Sequence, residues 1–196
     1  LVGKDPERAV LGREIRGPLD VTPANLHETV AALVVTNDVS ARDVQLPQGQ
    51  FYKGKSYRTF GPTGPHLTLV DASDLARFDD LHLRLWVNDE LRQDGYARGM
   101  IFKPAPTLTE LSTLQDLAPG DLIATGTPGG CAGRAPAWPL MFIASLLPAR
   151  MRWAAFMRAG LQNRRFLQPG DRMRTTIATD DGGLDLGTQD NRIVAA

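Results

Sequence analysis

The spacing of apolar residues along the chain predicts mainly β-strands. Residues 30–36 form an unbroken run of Val, Ala, Leu and Thr, which is typical of a buried strand. In residues 81–87 every second position is apolar, the period of a strand with one buried face, and Asn-Asp at 88–89 predicts a turn after it. Two more strand-like stretches, 122–125 and 172–178, each follow the phrase Leu-x-Pro-Gly-Asp, whose Pro-Gly pair fits a type II turn.

Helices are few in this pattern. We expect a short helix over 40–45 with Ser40 as its N-cap, and a second helix that starts at a capping box of Thr107 and Glu110. A third is predicted over 148–162, with a proline in its first turn. The alternating helix–strand rhythm of a doubly wound sheet is missing, so the pattern predicts an α+β fold that is mostly β.

Composition narrows the class of protein. The 196 residues carry 22 basic and 22 acidic side chains and are 42% hydrophobic, as in an ordinary single-domain globular protein. The balanced charge argues against nucleic acid as a partner. A lone Cys131 cannot form a disulfide within the chain, which favours a reducing, cytoplasmic setting. The longest nearly apolar stretch, 135–149, contains three prolines and is too short to span a membrane.

The start of the chain suggests a piece of a longer protein. The first residue is leucine, and residues 1–4 are typical of the end of a strand that begins earlier. Charged residues are scattered through 1–19, so no signal peptide is expected. We interpret residues 4–22, rich in charge, Gly and Pro, as a boundary element.

Zero net charge conceals a basic segment. No acidic residue lies between Asp121 and Asp171, whereas six arginines do, at positions 134, 150, 152, 158, 164 and 165. Three interpretations stay open: a solvated helix face or subunit contact, a lid that supplies positive charge to an anionic substrate, and a membrane-surface helix.

One cluster of polar residues follows the first buried strand: Asp38, Arg42, Asp43 and Gln45, together with Lys55. A carboxylate at Asp38, with a short helix returning Arg42 and Gln45 beside it, suits a hard cation or an anionic ligand. The competing interpretation is a structural ion pair with a turn cap. A single carboxylate does not make a Mg²⁺ site.

Other motifs carry less chemistry. The Gly-rich residues 125–133 lack the Gly-Lys-Ser/Thr ending of a phosphate-binding P-loop, which leaves a substrate-facing backbone loop as the functional alternative. We assign Cys131 to packing and the three histidines to structural or surface roles, because they show no metal-ligand spacing. A Gly-x-Ser-x-Gly elbow does not occur, which disfavours a serine hydrolase.

Five motifs, in order, resemble the fumarylacetoacetate hydrolase family. They are TNDVSARDVQ at 36–45, GKSYRTFGPTGP at 54–65, VNDELRQ at 87–93, MIF at 100–102, and PGD with TGTP within 119–128. The resemblance implies a mixed β-roll of that family's C-terminal-domain type. It also implies a Mg²⁺ site, with Mn²⁺ or Ca²⁺ as alternatives, and a homodimer.

The resemblance assigns roles to individual residues. Asp38 matches the family's last metal-binding aspartate, and Lys55 matches the lysine that reaches the substrate's carboxylate or enolate oxygen. Gln45 and Thr125 match polar substrate contacts of the family, and Gln45 is a catalytic candidate together with Lys55. A 2,4-dioxo acid cleaved by water leaves an enolate, which a metal and an ammonium group stabilise.

Two further residues are candidates for the site, and the chain differs from the family's pattern in two ways. Arg42 and Tyr52 are candidate substrate contacts. The family's Glu-x-Glu metal pair is expected before Leu1, so this chain alone should bind metal weakly. We treat residues 1–196 as one catalytic domain lacking its N-terminal part, with 135–166 as a basic, helical insert.

These observations support three hypotheses. The first is a Mg²⁺-dependent hydrolase that cleaves a carbon–carbon bond in small anionic acylpyruvate-type diketo acids. The second keeps the site but makes it an isomerase or decarboxylase of aromatic ring-cleavage diacids. The third is a fragment that is not catalytic as it stands, because upstream metal ligands are missing.

Overall fold

The computed structural model describes residues 2–3, 6–48, 51–132 and 147–195. The described strands are β1 (Val2–Gly3), β2 (Pro6–Leu11), β3 (Val30–Asn37), β4 (Ser40–Ala41), β5 (Thr68–Leu69), β6 (Leu81–Val87), β7 (Glu90–Tyr96), β8 (Leu122–Ala124), β9 (Arg172–Thr179) and β10 (Asp185–Arg192). The described α-helices are α1 (Arg42–Gln48), α2 (Phe51–Lys55), α3 (Ala72–Ala76), α4 (Pro104–Leu114) and α5 (Ala149–Gln162). Short 3₁₀ turns occupy Leu26–Glu28, Phe78–Asp80 and Ala97–Gly99.

The strands form two four-stranded sheets and one small pair. The first sheet has the order β5-β3-β2-β8, the second has the order β10-β9-β6-β7, and β1 pairs with β4. This arrangement confirms the α+β, mostly β class. Every pairing among the described strands is antiparallel.

The hydrophobic core lies between the two sheets. Leu33 and Val35 of β3 share one buried cluster with Leu81 and Leu83 of β6 and Ile177 of β9. The alternation predicted for residues 81–87 is confirmed for its apolar positions, since Leu81, Leu83, Leu85 and Val87 are all buried, and His82 on the other face is buried as well. Burying each of these apolar side chains stabilises the fold by about 1.5–3 kcal/mol.

The boundary element expected at 4–22 is wrong in its central part. Residues 6–11 form β2, which pairs with both β3 and β8 and therefore lies inside the first sheet. Charge in the first half of this strand hides it, because Pro6, Glu7 and Arg8 break the apolar pattern that only Ala9 to Leu11 would show.

Two predicted helix starts are also wrong. Ser40 lies in β4, paired with Gly3, and α1 begins two residues later at Arg42. Helix α4 begins at Pro104, whose ring suits a first helical position, so Thr107 lies inside the helix and donates its hydroxyl to the Lys103 carbonyl oxygen (2.9 Å). The Thr107–Glu110 capping box therefore does not form.

The predicted turns and the third helix are confirmed. Asn88 and Asp89 both have positive φ, as a two-residue hairpin turn with the twist of its strands requires. The two Pro-Gly-Asp phrases share one geometry, in which Asp121 and Asp171 each accept a backbone N–H three residues earlier at 2.8 Å. Helix α5 lies within the predicted range 148–162.

The basic segment is described only in part. Residues 135–146 of the predicted insert lie outside the described residues. Along α5 the side chains of Arg150, Arg152 and Arg158 are exposed. Among the described residues, none of the helices has the length and apolar content needed to cross a membrane.

Candidate functional site

Asp38 and Lys55 form an ion pair at the end of the first sheet. Strand β3 ends at Asn37, and the backbone carbonyl of the next residue, Asp38, accepts the Ser40 hydroxyl at 3.1 Å. Lys55 is the last residue of α2, and its Nζ contacts Asp38 Oδ2. The two side chains keep 19% and 30% exposure, so the pair is accessible to a small ligand. The structure thus joins two groups that are 17 residues apart in sequence.

Gly54 allows the close approach that places Lys55. A Cβ added at Gly54 would lie 2.8 Å from the Gln45 Cβ and 3.1 Å from the Ala41 carbonyl oxygen. Real Cβ atoms do not approach that closely, so α1 and α2 pack at a distance that only glycine permits. Lys55 follows immediately and is fixed by this packing.

Gln45 and Arg42 form the second pair of the site. Both lie on α1, and an Arg42 guanidinium N–H donates to Gln45 Oε1. Gln45 is only 1% exposed, and it packs against α2 next to Gly54. The structure therefore brings four predicted residues, Asp38, Arg42, Gln45 and Lys55, into one region.

A buried polar network lies behind the site and was not found from the sequence. Asn37, adjacent to Asp38, donates from Nδ2 to Thr175 Oγ1 (3.1 Å) and Gln189 Oε1 (2.5 Å). Gln189 in turn donates to the carbonyl oxygens of Pro62 and Gly64, at 3.0 and 3.1 Å. The network links β3 of the first sheet to β9 and β10 of the second.

This network had one sequence signal. Asn37 directly continues an apolar strand, and a buried amide there needs partners. Those partners lie 138 and 152 residues away, beyond the reach of any local pattern. The sequence alone therefore predicts Asn37 only as a turn residue.

Thr125 reaches the same edge of the first sheet from the other side. It follows β8, and β8 and β3 both flank β2, with Ala124 and Val34 each opposite Arg8. Because strands are about 4.8 Å apart, Thr125 lies roughly 10 Å across the sheet from Val35, which precedes the end of β3 by two residues. Its role as a substrate contact stays a prediction.

Tyr52 lies apart from the other candidates. It belongs to α2 but is 83% exposed. The neighbouring Phe51 is also largely exposed, so α2 presents aromatic side chains to solvent next to Lys55. Substrate contact by Tyr52 stays a prediction.

An open groove of about 670 Å³ adjoins Thr125. It runs between the end of β7 with its following segment and the loop after β8, and its lining includes Asp94, Tyr96, Met100, Phe102, Thr125 and Pro128. Its volume is in the range of small-molecule sites, and its walls are mixed polar and apolar. Ile101 at its rim is 90% exposed.

The described residues do not by themselves fit a divalent metal. Within them, no three His, Cys, Asp or Glu side chains come together as a metal site. Asp38 is the one carboxylate of the candidate pair, and the Lys55 ammonium group already engages it. Magnesium and calcium usually take several oxygen ligands, so Asp38 as a metal ligand stays a prediction.

A second polar cluster lies on the outer face of the second sheet. The ring of His82, 8% exposed, contacts Asp94 through Nε2 and Asp180 through Nδ1 (2.9 Å), and it stacks on Tyr96. The Tyr96 hydroxyl donates to Asp180 at 2.6 Å. This hydrogen bond and the one from His82 lower the pKa of Asp180, and the same carboxylate raises the pKa of Tyr96. The structural role expected for His82 is confirmed.

The fold is of the α+β class, mostly β, with two sheets and a lysine–carboxylate pair where strand β3 of the first sheet ends. Residues 8–194 match the family described as fumarylacetoacetate (FAA) hydrolase C-terminal. The chain therefore belongs to the fumarylacetoacetate hydrolase family, as the motifs predicted.

Individual relatives agree with this assignment. Protein Rv2993c of Mycobacterium tuberculosis is 39% identical over 123 residues, which are 62% of this chain and 44% of that protein. The solved fumarylacetoacetate hydrolase of Exiguobacterium antarcticum aligns with 100% of this chain and 57% of its own, at 29% identity and a TM-score of 0.71. The solved 2-hydroxyhepta-2,4-diene-1,7-dioate isomerase of Mycobacterium marinum aligns with 98% and 58%, at 28% identity and a TM-score of 0.68. The chain thus spans about half the length of these proteins.

Proposed function

We propose that this chain is the catalytic part of a hydrolase that cleaves a carbon–carbon bond in acylpyruvate-type 2,4-diketo acids. The observation that carries the proposal is the partly exposed Lys55–Asp38 pair, with Gln45 and Arg42 beside it, where strand β3 of the first sheet ends. The family's hydrolases and isomerases supply the reaction class.

The chemistry requires a stabilised enolate. Water adds to the acyl carbonyl carbon, the bond between that carbon and the methylene carbon breaks, and its electron pair moves onto the pyruvyl unit as an enolate. The Lys55 ammonium group, a compact positive charge, stabilises the enolate oxygen. Asp38 holds the ammonium group in place, and Arg42 supplies a second positive charge for the substrate's carboxylate.

Metal dependence belongs to the proposal as a separate prediction. The resemblance implies Mg²⁺, Mn²⁺ or Ca²⁺, whereas the described residues offer one carboxylate. We therefore expect calorimetric titration of Mg²⁺ into this 196-residue chain to give a Kd in the millimolar range or weaker. A micromolar Kd would contradict this expectation.

The test of the reaction is turnover of acetylpyruvate by the full natural protein that contains this chain. We expect acetate and pyruvate as products, and a loss of at least about 100-fold in kcat for Lys55→Ala. The matched control is Lys53→Ala, which removes an exposed lysine of the same helix. Activity that survives both EDTA and Lys55→Ala would sink the proposal.

The isomerase relatives support a second candidate. Solved structures similar to this chain include the M. marinum dienedioate isomerase, whose substrate name describes a ring-cleavage-type diacid. Isomerisation and decarboxylation would use the same enolate and the same lysine. Following a dienedioate substrate by NMR distinguishes a shifted double bond or loss of CO₂ from carbon–carbon hydrolysis.

The proposal extends to the oligomeric state and the cellular location of the protein. We propose a homodimer, which light scattering of the purified protein would show as twice the chain mass. A cytoplasmic location stays a prediction of the sequence. If the 196-residue chain folds but turns over no substrate that the full natural protein does, it is a non-catalytic fragment.

A further inference from the structure

A small cavity lies between β7, the loop after β8 and the segment after α5, and three of the residues that line it each carry a buried polar atom without a partner among the described residues. Its volume is about 10 Å³, and its lining includes Arg92, Gln93, Gly130, Cys131 and Arg165. Within the described part of the chain, Gln93 Oε1, Arg92 Nε and Arg165 Nε are buried and have no hydrogen-bond partner. Leaving such atoms unsatisfied is costly, so each needs a partner in the cavity.

The orientation of the Gln93 amide is fixed by its other contacts. Gln93 is 2% exposed, and its Nε2 donates to the Pro128 carbonyl oxygen (3.1 Å) and to Thr127 Oγ1 (2.8 Å). A carbonyl oxygen can only accept, so the amide nitrogen must face Pro128. The amide oxygen therefore faces the cavity as an acceptor.

The side chains of Arg92 and Arg165 are also each held by a second contact, made by the terminal NH2 group of the guanidinium. Arg92 pairs with Glu90 through NH2 at 2.9 Å, and Arg165 donates from NH2 to the Gly130 carbonyl oxygen at 3.4 Å. Their Nε–H groups are donors only. The cavity thus presents one acceptor and two donors.

We propose that a single water molecule occupies this cavity and bridges Gln93, Arg92 and Arg165. A water donates one hydrogen bond to Gln93 Oε1 and accepts one from each Nε–H, which matches the set in full. An anion has no proton for the amide oxygen, and a cation is repelled by two guanidinium groups. A volume of about 10 Å³ admits one water and excludes larger ligands.

The bridge fastens the loop that begins at Thr125 to the rest of the fold. Gln93 already holds Thr127 and Pro128 directly. A Cβ at Gly130 would lie 2.0 Å from the Arg92 carbonyl oxygen, so the loop lies directly against β7. The water adds Arg165, which links the loop to the segment that follows α5.

The experiment uses the only cysteine of the chain as a reporter. Cys131 lines the cavity and is partly exposed, so a change in the rate at which a thiol reagent such as DTNB modifies it reports a change in how tightly the loop is held. We expect Gln93→Leu to raise this rate at least about tenfold and Arg165→Met to raise it severalfold. Gln115→Leu, an exposed amide of similar size, should leave it within about twofold.

Direct detection of the water completes the test. A crystal structure of the protein at 2 Å or better should show one water within hydrogen-bond distance of all three atoms. Unchanged labelling rates in both variants, or a cavity filled by repacked arginines, would overturn the proposal. If Gln93→Leu does not fold, Arg165→Met and the unmodified protein still give a decisive answer. None of these measurements depends on the proposed reaction.

Discussion

The two charged clusters of the molecule are built in different ways. The outer cluster is placed by strand register, because His82 is paired with Tyr96 and Arg84 with Asp94 across β6 and β7. At the candidate site, Asp38 lies in a connection between strands and Lys55 ends a five-residue helix. Regular pairing positions the first cluster, whereas the second depends on packing and a buried amide network.

The difference indicates which cluster is available for chemistry. His82 has a carboxylate on each ring nitrogen, and the Asp180 carboxylate is shared with Tyr96 and Arg84. The hydrogen-bonding capacity of the ring is used within the protein. The Lys55 side chain, by contrast, retains 30% of its surface exposed, so a ligand can approach it. We therefore expect changes in the two clusters to separate activity from stability.

The largest expected effect comes from removing the carboxylate charge at the site. Asp38→Asn should lower kcat by about 10²- to 10³-fold, because a neutral amide no longer holds the Lys55 ammonium group. Asp180→Asn, the same change in the outer cluster, should leave kcat within about twofold. Steady-state kinetics on both variants checks the comparison, and equal losses would contradict it.

The buried amide behind the site should matter for stability. Asn37→Leu removes the donor to Thr175 Oγ1 and one of the two donors to Gln189 Oε1, which keeps its bond from Asn191, so we expect a loss of about 1–3 kcal/mol in the free energy of unfolding. Urea denaturation measures it. The exposed control Gln115→Leu should change stability by less than about 0.5 kcal/mol.

The glycine that permits helix contact offers a finer test. Gly54→Ala forces a Cβ to within 2.8 Å of Gln45, which we expect to destabilise the fold by about 1–3 kcal/mol and to lower kcat by displacing Lys55. Gly99→Ala is the matched control, because nothing lies within 4 Å of its added Cβ. Similar kinetics for the two variants would show that Gly54 does not position Lys55.

The smallest expected effect is a shift in acid sensitivity. The pKa of Asp180 is lowered chiefly by the Tyr96 hydroxyl and next by His82, so its contribution is present above pH 3.8 and is lost as pH falls through the lower folded value. Tyr96→Phe should move this loss of stability to higher pH. Thermal melts between pH 5 and 2 should show this shift for Tyr96→Phe and no shift for the control Tyr57→Phe. Identical curves would contradict the role of the hydroxyl.

The sequence predicted the strands that alternate and the residues that share one short segment. Residues 81–87 show a period of two because their apolar face is buried in the core, and residues 30–36 show an unbroken apolar run because almost every position of that strand is buried. Arg42 and Gln45 are three residues apart, so a helical turn brings them together. The sequence grouped Lys55 with Asp38 by residue type although the intervening residues carry no periodic signal, and the role of Lys55 came only from the family resemblance.

Other features depend on contacts that local pattern does not encode. β2 is stabilised by two neighbours that follow it by about 20 and 115 residues, so its charged half shows no strand signal. The partners of Asn37 and the three walls of the small cavity come together only after both sheets have formed.

The position of β2 between β3 and β8 has a consequence for how the chain folds. The second sheet begins from two hairpins, β6–β7 and β9–β10, whose strands are neighbours in sequence. The first sheet cannot be completed until residues 122–124 reach residues 8–10. Closing so long a loop costs entropy before any contact repays it, and such topologies fold slowly. The two hairpins should therefore gain hydrogen-exchange protection early in refolding. The first sheet, whose strands β3 and β8 end next to Asp38 and Thr125, should gain it last.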